Sequence, residues 1–342
     1  MNIEITIVSI FDILSISTAF TLGLLFITSK SKNNKANIFL GLFLWSLSTE
    51  VFTSFIDGQE IDVSIIYSGS ITISLLFLYV IKTLNHRYET WHILLITPLL
   101  DELTDIIPFF LFFTFNIFLL LYTFNILIKH LKNLEDFYSN IENRTLSWIK
   151  NIICIYLFFH SFWVIEDLIG LKFEFVTEYF AIVSTILTFI MIYWIGYNGF
   201  TQPEIFNTSI LTSDEKKLPE LAKKNKETVE TFNHFTKKIK DNKLFLQKDI
   251  TIVNLSKQLE INEKELSKLI KIHTKKNFYH FINRFRIEEF KRLLHTEKAN
   301  RLSLLGLAKK SGFQSKSTFY SVFKANEGIT PKQYQNQLNK SE

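Results

Sequence analysis

Apolar stretches of about twenty residues recur along the first 200 residues of the chain. A helix needs about 20 apolar residues to cross the ~30 Å hydrocarbon core of a bilayer. Six long stretches lie at 5–28, 36–56, 63–81, 106–128, 148–169 and 177–197. A seventh stretch, 88–103, is shorter and is interrupted sooner by polar residues. The hydrophobic pattern alone therefore predicts six or seven membrane crossings.

The charges between these stretches favour seven crossings. With seven crossings and an outer N-terminus, nine of the ten Lys and Arg residues of this half fall in the inner loops 29–35, 82–90 and 129–150. Short cytoplasmic loops carry an excess of Lys and Arg. Six crossings would put Lys82 and Lys129 on opposite faces of the membrane. We therefore expect a seven-pass transmembrane domain over residues 1–200, with the rest of the chain in the cytoplasm.

The C-terminal part of the chain has a different composition. Residues 1–200 carry a net charge of −7, and residues 201–342 carry a net charge of +12. Such asymmetry predicts two environments, one of them a polyanion or a membrane face. Residues 201–242 read as a juxtamembrane linker that contains an amphipathic helix from about 219 to 241, because Pro219 suits a first helical position. This helix is either the first packing helix of the next domain or a dimerising coiled coil.

Two later segments repeat one pattern. Residues 254–271 and 306–324 each predict a helix, a tight turn and a second helix, with a small residue where the helices cross. Gly312 supplies the positive φ that such a turn commonly needs. Asn262 is placed to cap the second helix of the first copy, and Ser315 or Gln314 that of the second. Apolar positions across 281–295 predict one long helix between the copies.

The residues of this region resemble a known family. The stretches LSKLIKIHTKKNFYHFINRFRIEEFKRLL and LAKKSGFQSKSTFYSVFKANEGITPKQY resemble the DNA-binding domain of the AraC family of bacterial transcription regulators. The resemblance covers roughly residues 243–342, and the chain as a whole looks like the membrane-bound members of that family. It departs from the family at Lys275, where Gly is common, and at Phe290, where a small residue is common. The implied fold is all-α: a seven-helix transmembrane domain followed by a cytoplasmic AraC-type domain with two helix-turn-helix motifs.

Charge and helix faces together predict which residues contact DNA. Residues 243–342 carry a net charge of +11, and such a surface binds phosphates by releasing counterions. Phe313, Phe319 and Phe323 are expected in the core, leaving the opposite face of their helix free for DNA. The resemblance assigns base or backbone contacts to this outward face, and it implies that the two recognition helices enter successive major grooves. The predicted contacts are Lys264, Ser267, Lys268, Gln314, Ser315, Lys316, Ser317, Thr318, Tyr320 and Ser321.

Polar residues within the predicted crossings are costly and often functional, and here they are Asp12, Glu50, Asn116, Asn125, His160, Glu166 and Asp167. Of these, the candidate sensing residues are Glu50, His160, Glu166 and Asp167. Structural interpretations are that Glu50 pairs with a hydroxyl, that His160 is an interior hydrogen-bonded residue, and that Asp12, Glu166 and Asp167 lie near the outer interface. The single Cys154 excludes disulfides within the chain, and the scattered histidines do not predict a metal site. No catalytic motif is present, so we expect neither an enzyme nor a cofactor.

Two functions from different classes fit this organisation. The first is a one-component regulator of the bacterial inner membrane, in which the membrane domain controls promoter binding through the segment 200–241. The second is a membrane transporter or enzyme with a fused DNA-binding domain that regulates its own operon. For the regulator, the expected partners are promoter DNA, the lipid bilayer, RNA polymerase, a second copy of the chain and a small or lipid-like signal.

Overall fold

The computed structural model of the chain divides into two compact units. The first comprises Met1–Ile128 and Leu146–Ser209, and the second comprises Lys129–Thr145 and Ile210–Glu342. No β-strand occurs in the parts of the chain that the structure describes, so these parts are all-α as predicted. Those parts are residues 6–29, 34–57, 59, 71–86, 88–96, 109–169, 174–201, 226–297 and 301–341.

The first unit is built from apolar helices. Helix α4 continues into the second unit, because the division falls after Ile128. A short 3-10 helix, Thr90–Ile96, precedes it. The helices are α1 (Ile7–Thr28), α2 (Asn34–Asp57), α3 (Thr72–Thr83), α4 (Phe109–Phe137), α5 (Ser147–Ile169) and α6 (Glu174–Thr201).

Within the described residues, four helices rather than seven are long and apolar enough to cross a membrane. They are Ile7–Thr28, Lys35–Ile56, Phe113–Phe137 and Ile182–Thr201, and two shorter apolar helices lie at Thr72–Thr83 and Ser147–Phe159. The described part of the predicted fourth crossing, residues 88–96, contains a seven-residue 3-10 helix, which at about 2.0 Å per residue spans about 14 Å, roughly half a bilayer core. Residues 97–103 of that crossing lie outside the described residues. Seven crossings stay a prediction.

The outer surface of α1 is apolar. Ile7 is 71% exposed, and Phe20 and Leu24 are about half exposed. On the opposite side, α1 packs closely on α2, since a Cβ atom added to Gly41 would lie 2.6 Å from the Gly23 carbonyl oxygen. Small residues at helix crossings and apolar side chains on the outer surface are typical of helices packed in lipid. The apolar helices therefore suggest insertion into a membrane.

The described part of the second unit contains seven further α-helices. They are α7 (Lys226–Asp241), α8 (Ile252–Leu259), α9 (Glu263–Thr274), α10 (Phe278–Leu294), α11 (Leu304–Lys310), α12 (Lys316–Glu327) and α13 (Pro331–Ser341). Two hydrophobic clusters form its core: one gathers α7, α8, α9 and the first half of α10, and the other gathers the second half of α10, α11 and α12. As predicted, one long helix, α10, links the two repeats.

Helix α7 is a packing helix of the second unit. Ile239 is fully buried in the first cluster, and Phe232 and Phe235 pack against it. Phe232 also stacks on the His273 ring of α9, with ring centroids 4.6 Å apart. The interpretation of this segment as the first packing helix of the C-terminal domain is therefore confirmed, although residues 219–225 lie outside the described part.

Candidate nucleic-acid interface

The first helix pair, α8 and α9, is fixed by its caps and its core. Thr251 caps α8 by accepting a hydrogen bond from the Asn254 N–H, at 3.1 Å. Asn262 caps α9, as predicted, by accepting one from the Lys264 N–H, at 2.9 Å. The predicted inward positions of this pair, among them Leu266 and Ile270, are buried. On the other side of α9, Lys264 and Lys268 are exposed to solvent.

The second pair, α11 and α12, turns at Gly312, whose φ of +101° lies in the left-handed region as predicted. Ser315 caps α12 by accepting a hydrogen bond from the Thr318 N–H, at 3.1 Å. Phe313, Phe319 and Phe323 are buried, as the sequence predicts. Phe290 of α10 is also fully buried, with its ring centroid 4.7 Å from that of Phe319.

The structure places the ten predicted DNA contacts on the surfaces of α9 and α12. The side chain of Lys316 lies over the Tyr320 ring, with Nζ 5.7 Å from the ring centroid. Lys264 and Lys268 are exposed on α9 with Ser267 half-buried beside them; on α12 and its cap, Lys316, Ser317 and Ser321 are exposed, whereas Gln314, Ser315, Thr318 and Tyr320 are half-buried. None of the ten is buried in the core.

A segment that the sequence assigns to a loop of the membrane domain belongs to this second unit. We call Lys129–Thr145 the α4–α5 segment. Its Phe137 packs on the first hydrophobic cluster, and its Ile141 packs on the second. Tyr138 forms an antiparallel bridge with Thr251, and the Ser139 N–H donates to the Ile250 carbonyl, at 3.2 Å. The segment therefore contacts both halves of the helix-turn-helix region.

The buried side chain of Arg286 fastens this segment to α10. Its guanidinium is 1% exposed and uses all five N–H donors on uncharged acceptors. Two of these bonds go to Ser139, at 3.4 Å to the carbonyl oxygen and 3.2 Å to Oγ. The others go to the Phe245 and Gln247 carbonyls and to the Asn283 amide oxygen. Burial lowers the pKa of Arg286 to about 10, so the side chain remains charged at neutral pH.

Three carboxylates of the α4–α5 segment contact residues at helices α9, α10 and α12. Glu135 accepts a hydrogen bond from the Asn277 amide at the start of α10, at 2.9 Å. Asp136 pairs with Lys271 of α9, at 2.9 Å. Glu142 accepts a hydrogen bond from the hydroxyl of Ser317, at the start of α12. Ser317 is one of the predicted DNA contacts, so this residue is already engaged by an acidic group of the same chain.

Sequence reasoning missed this docking. In the topology prediction, the loop 129–150 was considered only for the number of its basic residues. The signal that could have found the docking is the presence of three acids and the apolar residues Phe137, Tyr138 and Ile141 in a loop expected to face water. Such a composition fits a segment that packs against a basic domain.

The candidate sensing residues lie in α2 and α5. Glu50 accepts a hydrogen bond from Thr72, as its structural interpretation predicts, while its Oε2 is buried without a partner among the described residues. Glu50 also lines a cavity between helices of the first unit. His160, Glu166 and Asp167 lie on α5, and their side chains are outside the described part.

Comparison with known proteins agrees with this geometry. Residues 255–337 match the model of a family described as a helix-turn-helix domain. This match supports an AraC-family DNA-binding domain that binds double-stranded DNA, and it indicates a transcription regulator, a class that is usually not enzymatic. No curated protein and no solved structure was found to be similar to the chain.

Proposed function

We propose that this protein is a membrane-anchored, sequence-specific transcription regulator whose membrane half controls promoter binding. In this proposal the seven crossings lie in the bacterial inner membrane with the N-terminus outside, and the second unit faces the cytoplasm. Helices α9 and α12 are the recognition helices of two helix-turn-helix motifs, and they enter successive major grooves through the ten predicted contacts.

The observation that carries the proposal is the docking of the α4–α5 segment. Both of its ends continue into the first unit, at Ile128 and Leu146. Any rearrangement of the apolar helices that moves these two ends is therefore transmitted to the segment. The route expected from the sequence, residues 200–241, falls largely outside the described residues. The α4–α5 segment provides a second route, supported by hydrogen bonds to both helix pairs.

The same contacts support a direction of control. A DNA phosphate is favoured at the N-terminus of a helix, where backbone N–H groups and the helix dipole attract anions. The Glu142 carboxylate lies beside the start of α12, where it accepts a hydrogen bond from the Ser317 hydroxyl. DNA would have to displace this carboxylate, and the negative charge would repel the phosphates. The docked arrangement therefore restrains DNA binding, and a signal that prefers the undocked arrangement releases it.

The test uses the full chain in lipid nanodiscs. Selection from a random duplex library first provides a preferred DNA sequence, and fluorescence anisotropy then measures its affinity for wild type, Glu142→Ala and Glu297→Ala. Loss of one exposed charge-assisted hydrogen bond is worth roughly 1 kcal/mol, so we expect Glu142→Ala to bind about fivefold more tightly than wild type.

Glu297→Ala is the matched control, because it removes an exposed carboxylate of the same unit and changes the net charge equally. If both variants gain the same affinity, general charge explains the effect and Glu142 does not restrain α12. If no sequence is enriched by the selection, the proposal of a sequence-specific regulator fails as a whole.

A further inference from the structure

We propose that the first unit contains a binding site for a small amphiphilic amine. The site is a cavity of about 400 Å³ between α1, α2, α5 and α6. Its volume lies in the lower part of the ~300–1,000 Å³ range of small-molecule pockets. Two carboxyl groups line it, Asp12 of α1 and Glu50 of α2. The proposal assigns the role of counter-ion to both.

The polar atoms of the cavity are only partly satisfied by the protein. Asp12 is 5% exposed and accepts a hydrogen bond from Thr185 of α6. Glu50 uses one oxygen for Thr72, and its Oε2 is buried with no partner among the described residues. The hydroxyl of Ser15 is also buried and, within the same residues, has no hydrogen-bond partner. Buried polar atoms without partners are rare, and here they line an open space that a ligand could fill.

The acidic residues that line the cavity predict that the ligand carries a positive charge. No Lys, Arg or His is among the described residues that line the cavity. A carboxylate in an apolar helix bundle is costly unless a positive group compensates it. An ammonium group placed between Asp12 and Glu50 would compensate both charges and donate hydrogen bonds to Glu50 Oε2 and Ser15.

The rest of the ligand is apolar. Beyond the carboxyl groups the lining combines hydroxyl residues such as Thr53 with hydrophobic residues that include Leu47, Val51 and Met191. A ligand with only a charged group would leave these side chains facing empty space or water, whereas an aromatic or aliphatic body would cover them. A primary amine on a short hydrophobic body therefore fits the cavity better than an inorganic cation or a neutral lipid fragment.

The site itself stands apart from DNA binding, but its role as the input of a regulator rests on the function proposed above. The cavity is lined by α5 as well as by α1, α2 and α6, and α5 begins directly after the α4–α5 segment. A ligand that prefers one packing of these helices would then bias the docking of that segment.

The test measures binding without DNA. Equilibrium dialysis with labelled 2-phenylethylamine is carried out on the full chain in nanodiscs, with empty nanodiscs subtracted. The neutral competitor is 2-phenylethanol, which has nearly the same shape. We expect saturable amine binding that the alcohol does not displace. We also expect at least a tenfold loss of affinity in Asp12→Asn and Glu50→Gln. The control Glu89→Gln, which removes an exposed carboxylate of the same unit, should bind as wild type.

Three results would contradict the proposed amine site. These are the absence of saturable binding, equal competition by the alcohol, or an unchanged affinity in both amide variants. If the amide variants do not fold, Val51→Phe replaces them, because it keeps both acids but fills the cavity and should therefore lose amine binding. The comparison of the amine with the alcohol on wild type also tests the site without any variant. Because the assay contains no DNA, failure of the amine site leaves the proposed regulator intact, and failure of DNA binding leaves the amine site intact.

Discussion

Removing the hydroxyl of Ser139 should release the α4–α5 segment while leaving the fold intact. In Ser139→Ala the Arg286 guanidinium loses one of its five acceptors, because Nη2 donates to Ser139 Oγ at 3.2 Å. Both residues are almost fully buried, so water cannot replace the lost acceptor. A buried hydrogen bond to a charged group is worth about 1.5–3 kcal/mol. The docked arrangement should therefore weaken by about 10- to 100-fold.

Hydrogen exchange measures this weakening directly. In the docked arrangement the Ser139 N–H is bonded to the Ile250 carbonyl and is protected from exchange. Mass spectrometry of the full chain in nanodiscs should show protection of the peptide around Ser139 falling by that factor in the variant. Thr145→Ala is the control, because that hydroxyl bonds only weakly, at 3.4 Å, to the Glu142 carbonyl of the same segment. Equal protection in Ser139→Ala and wild type would show that the contact with Arg286 does not hold the segment.

Three further outcomes follow from the second unit. Lys275 ends α9 with a φ of +57°, which is strained for a residue with a Cβ atom. Lys275→Gly should therefore raise the free energy of unfolding by about 0.5–1 kcal/mol, visible as a higher melting temperature. An unchanged or lower melting temperature would refute strain at this residue. Lys316→Ala should weaken DNA binding and reduce the slope of log affinity against log salt by about 1, and an unaltered slope would remove Lys316 from the phosphate contacts. Burial lowers the pKa of His280 despite the nearby Glu135, so the unfolded chain binds the proton more readily and stability should fall as pH drops through about 6.5. His280→Gln should reduce the difference in melting temperature between pH 7.5 and pH 5.5.

The sequence was sufficient for the local structure of the second unit. Hydrophobic spacing identified the two helix pairs and the buried faces of α9 and α12, because a helix must bury its apolar stripe. Cap residues such as Asn262 and Ser315 were recognisable because their side chains satisfy N–H groups of the first turn. These features depend on neighbours within a few residues, and the resemblance to a known family added a prediction of the faces that contact DNA.

The docking of the α4–α5 segment could not be predicted in this way. It depends on acceptors that are far apart in the sequence, such as Ser139 and Phe245, which meet only in the folded unit. Arg is rarely buried without a carboxylate partner, so nothing in the sequence indicates that Arg286 is buried. No periodic pattern in the sequence predicts that five uncharged acceptors surround the Arg286 guanidinium. Likewise, the cavity beside Glu50 is a property of how four helices pack.

The Arg286 contacts also have a consequence for biosynthesis. Ser139 leaves the ribosome roughly a hundred residues before Gln247 and still earlier than Arg286, and chains are made at about 5–20 residues per second. The α4–α5 segment is therefore made about 5–20 s before the residues that surround it. During that interval it is already tethered to the apolar helix that precedes it. Helices α8 to α12 are made after this segment, and they complete their core around residues that are already present.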